Sequence, residues 1–281
     1  MNLIIQGLDI QNHDLRHIAK LAQASHIERI TGEAFRLVNA TEHSEIPNYC
    51  ADAQLDFAYV TPNKKLSEFG LVVMDMDSTL IAIESIDEIA ALCNVKQQVA
   101  EITASTMRGE IDFSESLIRR TALLKGLPED LLQQVYDQKV KLSLGADKML
   151  HKMKLAGLRT MVISGGFTFF TDRIKAKLGL DFSFANQLEI TDGKLTGSVA
   201  GEIIGAKGKA DILKNIRDQL HLNKEQVIAI GDGANDLPML TEAGTSIAFH
   251  GKPILQGKTT FSINYVGLDA VINFFEQASP Y

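Results

Sequence analysis

The chain has 281 residues, 45% of them hydrophobic, which is enough for one large domain with an extension and too apolar for a disordered chain. A net charge of −7, with no lysine- or arginine-rich block, argues against a nucleic-acid partner, because phosphate-backbone binding needs a clustered positive face. Two cysteines, Cys50 and Cys93, are too few for a disulfide framework and lack metal-like spacing. No basic leader or apolar run of membrane-spanning length is found, so no membrane partner is expected and the expected compartment is the cytoplasm.

In chain order, Met1 to Ile10 and Arg29 to Val38 read as strands. Asp14 to Ala24 reads as a helix, with Leu15, Ile18, Ala19 and Ala22 on one face. Asp56 to Val60 is a further short strand, and Pro62-Asn63-Lys64-Lys65 a polar connector. Residues 1–66 are therefore expected to form a small α+β unit without a chemical constellation. Its strand–helix–strand start resembles small amino-acid-binding regulatory domains, and dimerisation or simple packing are the other roles open to it; a homodimer is one possibility.

Residues 67–281 have a different style. Leu71-Val72-Val73-Met74, Thr160-Met161-Val162-Ile163, Val227-Ile228-Ala229-Ile230 and Ser246-Ile247-Ala248-Phe249 are short apolar runs suited to strands buried on both faces. Helical patterns at Ala146 to Ala156, Thr168 to Leu178, Lys209 to Gln219 and Leu237 to Ala243 alternate with them. That alternation predicts an α/β fold with a doubly wound parallel sheet. From about residue 86 to 140 it gives way to successive helices, with turns at Gly109, Gly126 and Pro128, and an insert there would sit above the carboxyl edge of the sheet, where open α/β sheets bind ligands. Asp192-Gly193 signals a hairpin.

Polar tips follow the apolar runs: Asp75-Met76-Asp77-Ser78-Thr79, Ser164-Gly165-Gly166, and Gly231-Asp232-Gly233-Ala234-Asn235-Asp236. In a parallel sheet they converge on one edge. Carboxylates from two tips make a hard oxygen site suited to Mg²⁺. One carboxylate can attack phosphorus, and a second, two residues on, can protonate the leaving oxygen. Lys209, Ser164 and backbone N–H groups near Gly165 can neutralise phosphoryl oxygens. Each signal alone is commonly a turn or a solvated charge, and Lys207 is a decoy beside Lys209; their order and placement give them meaning together. Gly231-x-Gly233 is no dinucleotide loop, because Asp236 stands where a third glycine is needed.

These four segments resemble the motifs of the haloacid dehalogenase (HAD) superfamily of phosphatases, and over about residues 70 to 250 the chain resembles its phosphoserine phosphatase family. Glu84, nine residues after Asp75, and Met107-x-Gly109-x-x-x-Phe113 followed by Arg119-Arg120 match that family's pattern. The resemblance implies a HAD-like core with an all-helical cap, working as a Mg²⁺-dependent phosphomonoesterase that converts L-phosphoserine to L-serine, the last step of serine biosynthesis. It implies Asp75 as nucleophile and Asp77 as general acid/base, with Asp75, Asp232 and the Asp77 carbonyl around the metal and Asp236 in support. Ser164 and Lys209 would hold the phosphoryl group, with Gly165 and Asn235 beside it. Glu84 would meet the substrate ammonium and Arg120 its carboxylate, between apolar walls from Met107 and Phe113. The alternatives are another small phosphorylated substrate, or phosphotransfer, within the superfamily. A phospho-accepting receiver domain is the alternative from a different class, and the helical insert fits it poorly.

Overall fold

The computed structural model describes residues 1–276. It opens with strand β1 (Asn2–Gln6), helix α1 (Asn12–Leu21), β2 (His26–Arg29), β3 (Ala34–Val38), α2 (Ile46–Asp52) and β4 (Asp56–Val60). The strands pair antiparallel in the order β2-β3-β1-β4. The single strand expected over Arg29 to Val38 is instead the last residue of β2, a turn and the whole of β3. Ile30 N–H and Thr31 N–H both donate to the Ala34 carbonyl, and the Thr31 hydroxyl accepts from Glu33 N–H, so the chain reverses at Thr31-Gly32-Glu33. The first strand is also shorter than its apolar stretch, ending at Gln6.

The second sheet begins at β5 (Leu71–Met74), followed by four helices: α3 (Ser85–Leu92), α4 (Lys96–Met107), α5 (Phe113–Ala122) and α6 (Asp130–Lys139). Then come α7 (Ala146–Leu155), β6 (Arg159–Phe167), α8 (Thr168–Leu178), β7 (Phe182–Thr191), β8 (Lys194–Ala200), α9 (Ala206–Gln219), β9 (Val227–Gly231), α10 (Leu237–Thr241), β10 (Thr245–Phe249) and β11 (Phe261–Ile263). The strand order is β11-β10-β9-β5-β6-β7-β8, parallel except for β7–β8. This is the doubly wound α/β architecture. Asp192 and Gly193 both take positive φ, as the two-residue turn between β7 and β8 requires.

The central strands β5 and β9 are fully buried, and their residues alternate between two cores. Val72, Met74, Ile228 and Ile230 face one; Leu71, Val73, Val227 and Ala229 face the other. Short apolar runs are thus explained: a strand covered on both faces has no polar side to show. Helix α9 starts at Ala206, so Lys209 lies one turn inside it. Lys209 is buried there, whereas Lys207 is exposed.

Candidate active site

Strands β5, β6 and β9 lie next to one another, and their carboxyl ends bring the three polar tips together. Asp75 leaves β5 with its N–H donating to the Ile230 carbonyl of β9 at 3.0 Å. Its Oδ1 accepts from its neighbour's Met76 N–H at 2.7 Å and pairs with Lys209 Nζ at 2.8 Å. Lys209 also donates to Asp236 Oδ1 at 2.7 Å. The other Asp236 oxygen accepts the N–H groups of Asp232 and Gly233, each at 3.1 Å. Asp236 therefore fixes both the lysine and the Gly231–Gly233 backbone. Gly231 is required here, since a Cβ on it would lie 2.6 Å from Asp236 Cβ and Cγ.

Asp77 points another way. Its Oδ1 accepts from Ser85 N–H at 2.8 Å and its Oδ2 from the Ser164 hydroxyl at 3.2 Å. Ser164 Oγ in turn accepts from Gly166 N–H at 2.9 Å. Gly165 is held by Asn186, whose Nδ2 donates to the Gly165 carbonyl at 2.9 Å. Asn186 also ties down Ile204, just before α9. Sequence reasoning missed Asn186; a buried asparagine far from any motif leaves no local signal.

One cavity of about 580 Å³ opens over this edge. Asp75, Asp77, Ser164, Gly165, Asp232 and Asn235 line it from the sheet side, and Glu84, Phe113 and Arg120 from the helical insert and its approach. The Met107 side chain lies outside the described residues. Glu84 accepts from the Ser78 hydroxyl at 2.8 Å. Arg120, half-buried, donates from Nε to the Ser116 carbonyl of its own helix, at 3.4 Å. Its neighbour Arg119 takes Glu115 as an ion-pair partner. Lys252, not singled out from the sequence, also reaches the cavity and pairs with Asp232 Oδ2 at 3.1 Å.

Crowded carboxylates shape the electrostatics. Burial, then the neighbouring Asp236, push the Asp75 carboxyl well above its usual range, with Lys209 pulling the other way. Burial likewise raises Asp77, against its hydrogen bonds to Ser85 and Ser164. Burial raises Asp232 too, opposed first by Lys252. For Lys209 burial acts downward, but Asp236 and Asp75 outweigh it and hold the ammonium above its usual value. Glu84 is open to the cavity along one side, yet burial of the carboxyl and then Asp77 push it up to about 7.

Such a site calls for a cation. Asp75, Asp232 and Asp236 can each offer an oxygen within 4.8 Å of the others, an all-oxygen set suited to a hard divalent ion. Both Asp236 oxygens are already engaged by donors, which leaves Asp75 and Asp232 as the carboxylates freer to take one. The Asp77 carboxylate lies outside that set.

A parallel sheet carrying acidic tips under a helical cap is the arrangement of the haloacid dehalogenase-like hydrolases, and the model of that family matches residues 69–244. A model of a domain of unknown function (DUF4072) matches residues 3–46. The phosphoserine phosphatase of Haemophilus influenzae is 44% identical over 229 residues, covering 82% of this chain and 73% of that protein. The crystal structure of a HAD family hydrolase from Salmonella enterica serovar Typhi aligns with a TM-score of 0.89 at 32% identity, over 98% of both chains. A phosphoserine phosphatase solved as a phospho-aspartyl intermediate analogue aligns at 0.70 and 39% identity, over 74% of this chain and 99% of that one. The chain belongs to the phosphoserine phosphatase family of the haloacid dehalogenase-like hydrolases.

Proposed function

We propose that the chain hydrolyses L-phosphoserine to L-serine and phosphate through an aspartyl-phosphate on Asp75. The observation that carries the substrate is that Glu84 and Arg120 face the same cavity as Asp75 and Asp77. An acid and a base beside a phosphate site suit the ammonium and carboxylate of a phosphorylated amino acid. Among the described residues Arg120 has no ion-pair partner of its own, which leaves its outer N–H groups for a ligand. The relative captured as a phospho-aspartyl analogue supports the covalent route.

In this reading the Asp75 carboxylate attacks phosphorus and the bond to the seryl oxygen breaks. Asp77, whose raised pKa favours its protonated form, gives that oxygen a proton. Asp77 then takes a proton from the water that attacks phosphorus, and the bond to Asp75 breaks. Ser164 steadies the phosphoryl group, with the Gly165 backbone and Asn235 beside it, and Lys209 acts from beneath through its contact with Asp75. Asp75, Asp232 and the Asp77 carbonyl would hold Mg²⁺, which supplies charge neutralisation when bound. Residues 1–66 act as a unit packed on the 67–281 core, and the insert over about 86–140 closes the cavity against water. Unpaired Cys50 and Cys93 fit a reducing compartment, the cytoplasm, and among the described residues no helix is long and apolar enough to cross a membrane. The product places the reaction at the end of serine biosynthesis.

The test is a substrate panel. With Mg²⁺, phosphoserine should be turned over far faster than phosphoethanolamine, which lacks the carboxylate, or phosphoglycolate, which lacks the ammonium. EDTA should abolish all turnover and Mg²⁺ restore it. Equal rates on the three esters would sink the substrate assignment; full activity in EDTA would sink the metal.

A further inference from the structure

Five acids line the cavity: Asp75, Asp77, Glu84, Asp87 and Asp232. Among the described residues only Arg120 and Lys252 oppose them in its wall, because Lys209 lies beneath the surface and is held by Asp75 and Asp236. Arg120 belongs to the cap. Lys252 is therefore the lining cation on the sheet side, where a phosphoryl group must come to reach Asp75. We propose that Lys252 is a positioning residue for the phosphoryl group of substrate and product, an inference that rests on the phosphatase reading above.

The loop that carries it is built for a fixed address. Lys252 follows β10, and its backbone N–H donates to the Asp232 carbonyl at 2.8 Å, stitching the loop to the acidic tip of β9. Gly251 lets the loop close on β10, since a Cβ there would come within 2.9 Å of Ala248 Cβ. Pro253 has its own φ locked, restricts Lys252 before it to extended backbone, and leads into a short 3₁₀ turn, Pro253–Leu255. With its base pinned, the side chain reaches Asp232 Oδ2 at 3.1 Å and stays 49% exposed. One N–H is spent on Asp232, and an ammonium has two more. The Asp232 contact aims the charge, and the open side presents it to the cavity. Lys252 also lies close to the Asn235 tip: a Cβ on Gly233 would fall 3.5 Å from Lys252 Nζ and 2.6 Å from Asn235 Oδ1. A dianion entering a cavity lined by five acids meets this charge on the side of Asp232 and Asn235.

The distinction is between acting on phosphate and acting on the metal ligands. Lys252→Met keeps the length of the side chain and removes the charge. In the Mg²⁺-saturated full-length protein, the inhibition constant of inorganic phosphate against p-nitrophenyl phosphate should rise ~10- to 100-fold, the loss of one charged hydrogen bond. KM should rise for p-nitrophenyl phosphate and phosphoserine alike, in contrast to a change at Arg120. Lys252→Arg should recover part of the loss. The Mg²⁺ isotherm of the substrate-free variant, read by calorimetry, should move less than the phosphate constant. An unchanged phosphate constant overturns the proposal. So does a loss that disappears once the Mg²⁺ concentration is raised, which would make Lys252 a part of the metal site alone. A wild-type protein that hydrolyses no phosphate ester overturns the underlying reading, and this one with it.

Discussion

Two aspartates with the same functional group stand two positions apart and are given different tasks by their surroundings. Asp75 has one oxygen fixed by Lys209 and a backbone N–H, and it joins the carboxylate cluster. Asp77 is turned toward Ser85 and Ser164, outside that cluster. An amide at Asp77 keeps these contacts in part but cannot shuttle a proton, so Asp77→Asn should slow turnover by ~10²–10⁴-fold. Single-turnover kinetics with p-nitrophenyl phosphate, whose leaving group needs little protonation, should show phosphoenzyme formation suffering less than its breakdown. Equal losses on both steps would count against the assignment. Arg120→Ala addresses specificity instead. It should cost on the order of 1.5–3 kcal/mol in kcat/KM for phosphoserine and little for p-nitrophenyl phosphate, which has no carboxylate to lose. A parallel loss on both substrates would make Arg120 a structural residue. Asp75, Asp77 and Asp232 could be picked out from the sequence because each terminates or closely follows an apolar run. Lys252 could not, because its relation to Asp232 depends on how two loops meet.

Among the elements, the cap is seated on the sheet edge through a ring. Phe113, at the start of α5, lies over Gly165 and Gly205: a Cβ on Gly165 would come 2.7 Å from its Cζ, and one on Gly205 3.2 Å from its Cδ1. Both glycines have ordinary φ, so what they provide is room for the ring. Gly165→Ala should therefore push the ring aside, and with it one wall of the cavity. Overpacking of this kind costs ~1–3 kcal/mol, which here should appear mainly as a roughly tenfold lower kcat/KM for phosphoserine. Phe113→Leu in the same chain should return part of it, a coupling that a double-mutant cycle reads directly. Additive losses would mean that the ring and Gly165 do not touch in the working enzyme. The strands that carry the acidic tips were legible because double burial imposes an apolar run. The β2–β3 reversal left one local signal, Gly32 within the stretch from Arg29 to Val38, and a lone glycine is also compatible with a bulged strand. Helix α2 and strand β11 are too short to show a period of their own.

At the scale of the molecule, the first sheet is joined to the second by burial and by buried polar contacts, Asn273 Nδ2 donating to Gln6 Oε1 at 2.6 Å and the Asp56 carboxylate among them. Ile4 of β1 and Ala58 and Val60 of β4 belong to the same apolar core as Val72 and Met74 of β5, while Leu3 and Ile5 pack beneath α1 and α2. Asp56, at the start of β4, is buried and accepts Asn264 N–H at 2.7 Å, Asn264 Nδ2 at 3.1 Å and Tyr265 N–H at 2.9 Å from the loop after β11. No local pattern announces a contact that spans 208 residues. Removing the acceptor in Asp56→Ala strands these donors and should cost ~1–3 kcal/mol of stability at pH 7. For a chain of this size that is a loss of ~2–4 °C in Tm per kcal/mol. Since Asp56 does not line the cavity, kcat/KM should be unchanged. The pH dependence has a definite sign. Burial raises the Asp56 pKa in the folded protein, against the N–H groups of Tyr265 and Asn264. The folded state then binds the proton more tightly than the unfolded chain. The proton-linked part of the stability this group contributes is therefore fully present below the unfolded carboxylate value and is lost as pH rises through the raised folded one, which leaves the hydrogen bonds to Asn264 and Tyr265 as its contribution at pH 7. Thermal melts should accordingly show the gap between wild type and Asp56→Ala widening as pH falls through that window. A gap that closes on acidification would mean that the carboxylate is held in its ionised form by the loop, with burial the weaker influence.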